Sequence, residues 1–121
     1  MNTRELIDQV RKRAEEFDEV RIYYTLKKMG VRPVHGKTIE LVRTLLAFNS
    51  IGCTYKGYVT LHMLKTALGV DLPTVRNRCH ILGDKSVLDL KYLASKYGGI
   101  IAAYKISKEF LDAYKRGKKT E

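Results

Sequence analysis

Residues 60–83 read TLHMLKTALGVDLPTVRNRCHILG, and the spacing of their apolar positions decides the fold. Leu61, Leu64, Ala67 and Leu68 fall on one side of a helix that Thr60 caps and Gly69 stops, leaving His62, Lys65 and Thr66 outward. Gly69-Val70-Asp71 is a tight turn. Asp71 suits the N-cap of a second helix, with Pro73 in its first turn, where a missing N–H costs nothing. Leu72, Val75, Cys79 and Leu82 form the inner stripe of that helix, and Gly83 is placed to end it. Arg76, Asn77 and His80 share the outward face with Pro73, while Thr74 and Arg78 sit at its margins.

Working outward, Ser86 to Tyr92 alternates Leu88, Leu90 and Tyr92 with Asp89 and Lys91, which predicts a strand. Ser95-Lys96-Tyr97-Gly98-Gly99 is turn chemistry, and Ile100 to Ile106 reads as the returning strand. The pair makes a hairpin with a basic, aromatic tip, and Tyr92 and Tyr104 are expected in the core. Ser107 caps a short helix bearing Phe110, Leu111 and Tyr114, followed by a Lys/Arg-rich tail at 115–119. On the other side, Thr38 is a good N-cap for a helix from Ile39 to Asn49. Ile39, Val42, Leu45 and Leu46 make its apolar sector, with Glu40, Arg43 and Thr44 opposite. Residues 50–57 read as a loop, and Tyr58-Val59 as a very short strand. Residues 30–37 form a connector broken by Pro33 and two glycines. Gly36-Lys37-Thr38 looks like the end of a phosphate-binding loop, but that pattern needs a glycine where Val31 stands.

The first segment, Asn2 to Met29, reads as one long helix, opened by a capping box of Asn2 with Glu5 and stopped by Gly30. Ile7, Val10, Ala14, Phe17, Arg21 and Tyr24 recur at alternating spacings of three and four, and only Arg21 is polar. Such a stripe pairs with a second helix, either in another copy of the chain or in the chain's own core. Val20, Ile22, Tyr24 and Leu26 also alternate, so residues 18–28 read as helix or strand.

Hydrophobic residues are 45% of the 121 and charged residues 30%, the balance of a globular chain of one domain. No apolar run approaches the roughly 18–20 residues that cross a bilayer, and Met1-Asn2-Thr3-Arg4-Glu5 lacks the apolar start of a signal peptide. A soluble, cytoplasmic protein is expected. Cys53 and Cys79 lie 26 positions apart and His35, His62 and His80 are scattered, so neither a metal nor a cofactor is expected. Both cysteines read as small buried hydrophobes, with a disulfide between them as the alternative, which intracellular thiols disfavour. No carboxylate pair, Ser-His or Cys-His arrangement points to an enzyme, and no small-molecule substrate is evident. Charge is the informative bulk property: the net is +10. Residues 1–30 hold seven basic and six acidic side chains, whereas residues 31–121 hold sixteen and seven. A basic domain beside a balanced arm suits a polyanion, since phosphates reward Lys and Arg through counterion release.

The order helix, short strand, helix, turn, helix, hairpin resembles the winged helix-turn-helix family, in which two helices joined by a Gly-containing turn present the second to DNA. The matching residues are Val59-Thr60, Leu64, Leu68-Gly69-Val70, Thr74-Val75-Arg76, Leu82, Val87-Leu88 and Tyr104-Lys105-Ile106-Ser107. The likeness covers Lys37 to Ser107 and points to small regulators of archaea, their plasmids and their viruses. Relatives often place Gly directly before the first hairpin strand, whereas here Asp84-Lys85-Ser86 intervene, so the wing starts late. The fold class is then mainly α with a small β-hairpin (α+β). Residues 1–30 are a helical arm for dimerisation, 37–107 the winged domain, and 108–121 a C-terminal helix and basic tail.

The resemblance implies that residues 71–83 lie in a major groove of double-stranded DNA. Arg76 can contact guanine O6/N7 in bidentate fashion and Asn77 adenine N6/N7. Thr74 and His80 reach a base or a phosphate, and Arg78 the backbone. Lys96 and Tyr97 would meet the flank, with Lys56, Thr60, His62 and Lys65 as phosphate contacts. A two-fold operator would need a homodimer, held through Ile7, Val10, Ala14, Phe17 and Tyr24. Association with RNA or the ribosome, and a winged domain used for protein contacts, stand as alternatives.

Overall fold

In a computed structural model, which describes residues 2–52, 54, 56–94 and 98–119, with side chains to 116, the stretch at 60–83 forms two helices. They follow two others and a third that carries most of the core. The helices are α1 (Thr3–Ala14), α2 (Glu19–Lys28), α3 (Gly36–Ile51), α4 (Leu61–Leu68), α5 (Leu72–Asp84) and α6 (Lys108–Lys119). The strands are β1 (Val59–Thr60), β2 (Leu88–Ala94) and β3 (Ile100–Ile106). They form an antiparallel sheet in the order β1-β3-β2, with Val59 opposite Tyr104 and Leu88 opposite Ile106.

Asn2 to Met29 is not one helix. Asp18 interrupts it: its Oδ1 accepts from the N–H groups of Val20 (2.9 Å) and Arg21 (3.3 Å), capping a fresh helix. The two shorter helices wrap different sides of α3, with α1 also against α4 and α2 also against α6. Residues 18–28 are accordingly helix and not strand. Among the proposed dimer contacts, Ile7 and Val10 are buried in the chain's own core, and Ala14 and Phe17 pack against it. The stripe therefore spends its apolar surface inside the molecule, and only Tyr24 remains exposed.

This wrapping also corrects α3. Its polar side is covered: Thr44 is buried, and half-buried Arg43 donates to the Ala14 carbonyl (3.0 Å) and to Glu19 Oε1 (2.6 Å). Arg43 thus satisfies a carbonyl at the end of α1 while pairing with the start of α2. Arg11 does the same for α4, donating to Ala67 O at 2.9 Å and Thr66 O at 3.2 Å. The helix also begins earlier than Thr38 suggests, at Gly36, with His35 in the N-cap position.

Leu41, Val42, Leu45, Phe48, Leu64, Val75, Leu82 and Phe110 are fully enclosed, joined by Ile22 and Leu26 from α2. Each such side chain contributes roughly 1.5–3 kcal/mol by burial. Leu68 and Leu72 are only half-buried. Gly83 does not stop α5, which runs one residue further; the reversal falls at Ser86, whose φ is +61°. Val87 N–H and Lys85 N–H both donate to Leu82 O (3.0 and 3.2 Å), so β2 is tied to the last turn of α5. Tyr104 is core as expected, but Tyr92 is 60% exposed because β2 and β3 project beyond the helices there.

Candidate nucleic-acid interface

α5 presents one face to the core and one to solvent. Val75, Cys79 and Leu82 are buried; Arg76, Asn77, His80 and Ile81 are exposed, and Thr74 and Arg78 lie half-buried between them. Thr74 Oγ1 donates to Asp71 Oδ1, so Asp71 holds the first turn through Thr74 instead of through a backbone N–H. Arg76 and Asn77 make no ion pair or side-chain hydrogen bond among the described residues. His80 Nε2 lies 3.7 Å from Asp84 Oδ2, both on the exposed side.

The buried side is chemically inert. Enclosure pushes the Cys79 thiol up to about 12, so it stays protonated and packs as a small apolar group. Burial likewise raises the Tyr104 phenol, with Cys79, Tyr92 and Asp84 adding to the effect and Arg76 opposing it. α5 packs against β2, which pairs along its length with β3.

The hairpin is fixed from below. Ser107 Oγ donates to Ser86 O at 2.6 Å and accepts from Phe110 N–H at 3.0 Å, while Ser107 N–H donates to Val87 O at 2.9 Å. One fully buried serine therefore joins the α5–β2 turn to the start of α6.

His62 and Lys65 are exposed on α4, and Lys56 is exposed beside it at φ +54°. The Thr60 hydroxyl accepts from Met63 N–H (3.3 Å), capping α4. Lys96 and Tyr97 at the hairpin tip lie outside the described residues, as does Cys53. Among the dimer residues, as above, only Tyr24 faces out, with exposed Val20 one turn before it.

Sequence reasoning missed a second basic surface. On the sheet face away from the core, Tyr58 lies beneath two ammonium groups, Lys105 Nζ at 4.9 Å and Lys91 Nζ at 5.6 Å from its ring centroid. The antiparallel register assembles it: Lys91 pairs with Ala103, two residues before Lys105, next to β1. Alternation in residues 88–92 already puts Lys91 opposite the core, but the meeting with Tyr58 needs the β1–β3 pairing.

Among the described residues, no helix is long and apolar enough to cross a membrane and no group of three or more His, Cys, Asp or Glu is placed to hold a metal. No protein-family model matches the chain, and no curated protein matches it. Among solved structures, it is similar to one described as a possible transcriptional regulator from Methanosarcina mazei Go1, at 18% identity and a TM-score of 0.57. That match covers 84% of this chain and 77% of the other, and at such identity it establishes a shared fold.

Proposed function

We propose that the chain is a winged helix-turn-helix regulator that reads double-stranded DNA with α5 and flanks it with the β2–β3 hairpin. The observation that carries this is the α5 surface. Arg76 and Asn77 stand exposed and, among the described residues, without an ion pair, on a helix whose other side is locked into the core. Arg offers paired donors to guanine O6 and N7, and Asn a donor for adenine N7 with an acceptor for adenine N6, all in the major groove. Thr74, Arg78 and His80 flank them, and Lys56, Thr60, His62 and Lys65 supply phosphate contacts around α4. Lys96 and Tyr97 extend the contact at the hairpin tip.

The charge distribution supports a polyanion, with the excess of basic residues after residue 30. The description of the similar archaeal structure as a possible transcriptional regulator agrees with this reading. In this proposal residues 37–107 form the DNA-binding unit, acting in the cytoplasm on the nucleoid. Residues 1–30 and 108–121 brace it and carry a two-fold contact through Val20 and Tyr24, so that two copies of α5 meet half-sites about 34 Å apart.

The test is enrichment of random duplexes on the purified protein, followed by affinity measurement on the enriched site. Arg76→Ala should cost about 1–3 kcal/mol at a single base pair and leave other positions unchanged. No enrichment, or an Arg76→Ala profile identical to the parent, would remove α5 as the reader.

A further inference from the structure

We propose that the groove between the connector at residues 31–35 and α5 is a binding site for a small organic acid with an apolar ring or chain. The cavity has a volume of about 560 Å³, within the roughly 300–1,000 Å³ range of small-molecule sites. Pro33 and the exposed Ile81 form its apolar floor, over the buried Val31 and Leu82. Arg32, Lys37 and Arg78 stand around this apolar surface, and among the described residues none of the three is in an ion pair. Glu40 is the sole carboxylate of the lining.

That combination defines the occupant's chemistry. An apolar floor favours a ring or branched chain, since burial removes apolar surface from water on both partners. Three cations against one carboxylate favour a negative head group at the rim, where two arginines can grip a carboxylate with paired donors. A bare inorganic anion would leave the floor unused, and a neutral hydrocarbon would leave the cations unmatched. The cleft between α1, α3 and α4 offers no such surplus, because Arg11 and Arg43 there are already bonded to Ala67 O and Glu19. Of the groove's lining only Arg78 also belongs to the proposed DNA-contacting set, and Arg76, Asn77 and His80 lie outside it, so failure of this site would leave the DNA reading intact.

The test is calorimetric titration of the full chain with 1-naphthylacetate, with 1-naphthylacetamide as the same ring lacking the charge, and with inorganic phosphate. Saturable binding of the acid is expected, with the amide weaker by about tenfold or more, since a charged hydrogen-bonded pair is lost. Phosphate at equal concentration should not displace the acid. Lys37→Ala should weaken binding several-fold and Ile81→Asp should abolish it, each with the parent's melting temperature because both side chains are exposed. Absence of binding, equal affinity for acid and amide, displacement by phosphate, or full binding by Ile81→Asp would each overturn the proposal.

Discussion

The Arg21 guanidinium lies 3.7 Å over the Tyr114 ring and donates two hydrogen bonds, at 2.6 and 2.8 Å, to the carbonyl oxygen of the same residue. This joins α2 to α6, whose own core contact is the stacked pair Phe110 and Tyr114 at 5.8 Å. It also explains the polar residue in an otherwise apolar N-terminal stripe. Arg21→Ala removes charged donors from a carbonyl near the C-terminal end of the chain and should destabilise by about 1–3 kcal/mol. Arg21→Lys should recover less than half of that, because an ammonium cannot make the planar forked contact. Urea denaturation of the three proteins checks both, and equal midpoints would show that the tether carries no stability.

Ser107 carries two roles in one hydroxyl, as donor to Ser86 O and acceptor from Phe110 N–H. Ser107→Ala takes the hydroxyl from the part-buried Ser86 carbonyl and leaves the buried Phe110 N–H without its acceptor, so a loss of about 1–2 kcal/mol is expected. Because Ser86 closes the turn into β2, hydrogen exchange should quicken in β2 before it does in α3. Uniform acceleration across both would mean that the serine acts only on global stability.

The Cys79 thiol gives a pH prediction whose sign can be fixed. Its value is raised from 9.0 to about 12, so the folded state keeps a proton that the unfolded chain releases. Its contribution is therefore constant at neutral pH and declines as pH rises from about 9 toward 12, by up to about 1.4 kcal/mol per pH unit. Cys79→Val removes this titration, so the stability difference between parent and variant should shift in the variant's favour over that interval. Mass mapping of alkylated peptides at pH 8 should find Cys79 protected in the native protein and modified once urea unfolds it. Rapid native alkylation at Cys79 would contradict the burial.

The helices around the turn at residues 69–71 were legible because the main cues there agree, even though Asp71 caps no backbone N–H and Gly83 does not end α5. Thr60 caps, Gly69 adopts φ +67°, and Val75, Cys79 and Leu82 repeat at helical spacing. The N-terminal region was not, because a stripe of Ile7, Val10, Ala14 and Phe17 looks the same whether it meets another copy or its own chain. What separates the cases is Asp18, whose cap breaks the helix so that both halves fold back on α3. Arg43 shows the same ambiguity from the other side, since a charged residue on a helix reads as solvated until Ala14 O and Glu19 arrive. The face of Arg76, Asn77 and His80 follows from helical period alone. The cluster of Tyr58, Lys91 and Lys105 depends on strand register, which no local pattern specifies.

Closure of the N-terminal stripe moves the proposed dimer contact to α2. Val20 and Tyr24 are 63% and 57% exposed and one helical turn apart, with Tyr23 edge-on to Tyr24 at 5.2 Å. If two copies pair there, Val20→Glu should give a monomer in sedimentation velocity with its melting temperature unchanged, because the side chain supports nothing inside the chain. A monomeric parent, or a variant that sediments as the parent dimer does, would rule out this face.

The two lysines over Tyr58 predict a distinct binding signature. They lie on the outer sheet face, away from the α5 surface, where a phosphate backbone passing the hairpin would meet charge without base edges. Lys91→Ala and Lys105→Ala should therefore weaken all duplexes alike, each lowering the slope of log affinity against log salt by about 1. Arg76→Ala should instead alter sequence preference. Tyr58→Leu separates the packing role of the ring from the charges: it keeps most of the apolar contact while removing the aromatic face that holds both ammonium groups. Its salt slope should stay near the parent's, with affinity reduced by less than either lysine change. A change of sequence preference on losing Lys91 or Lys105 would place this surface against bases and not against the backbone.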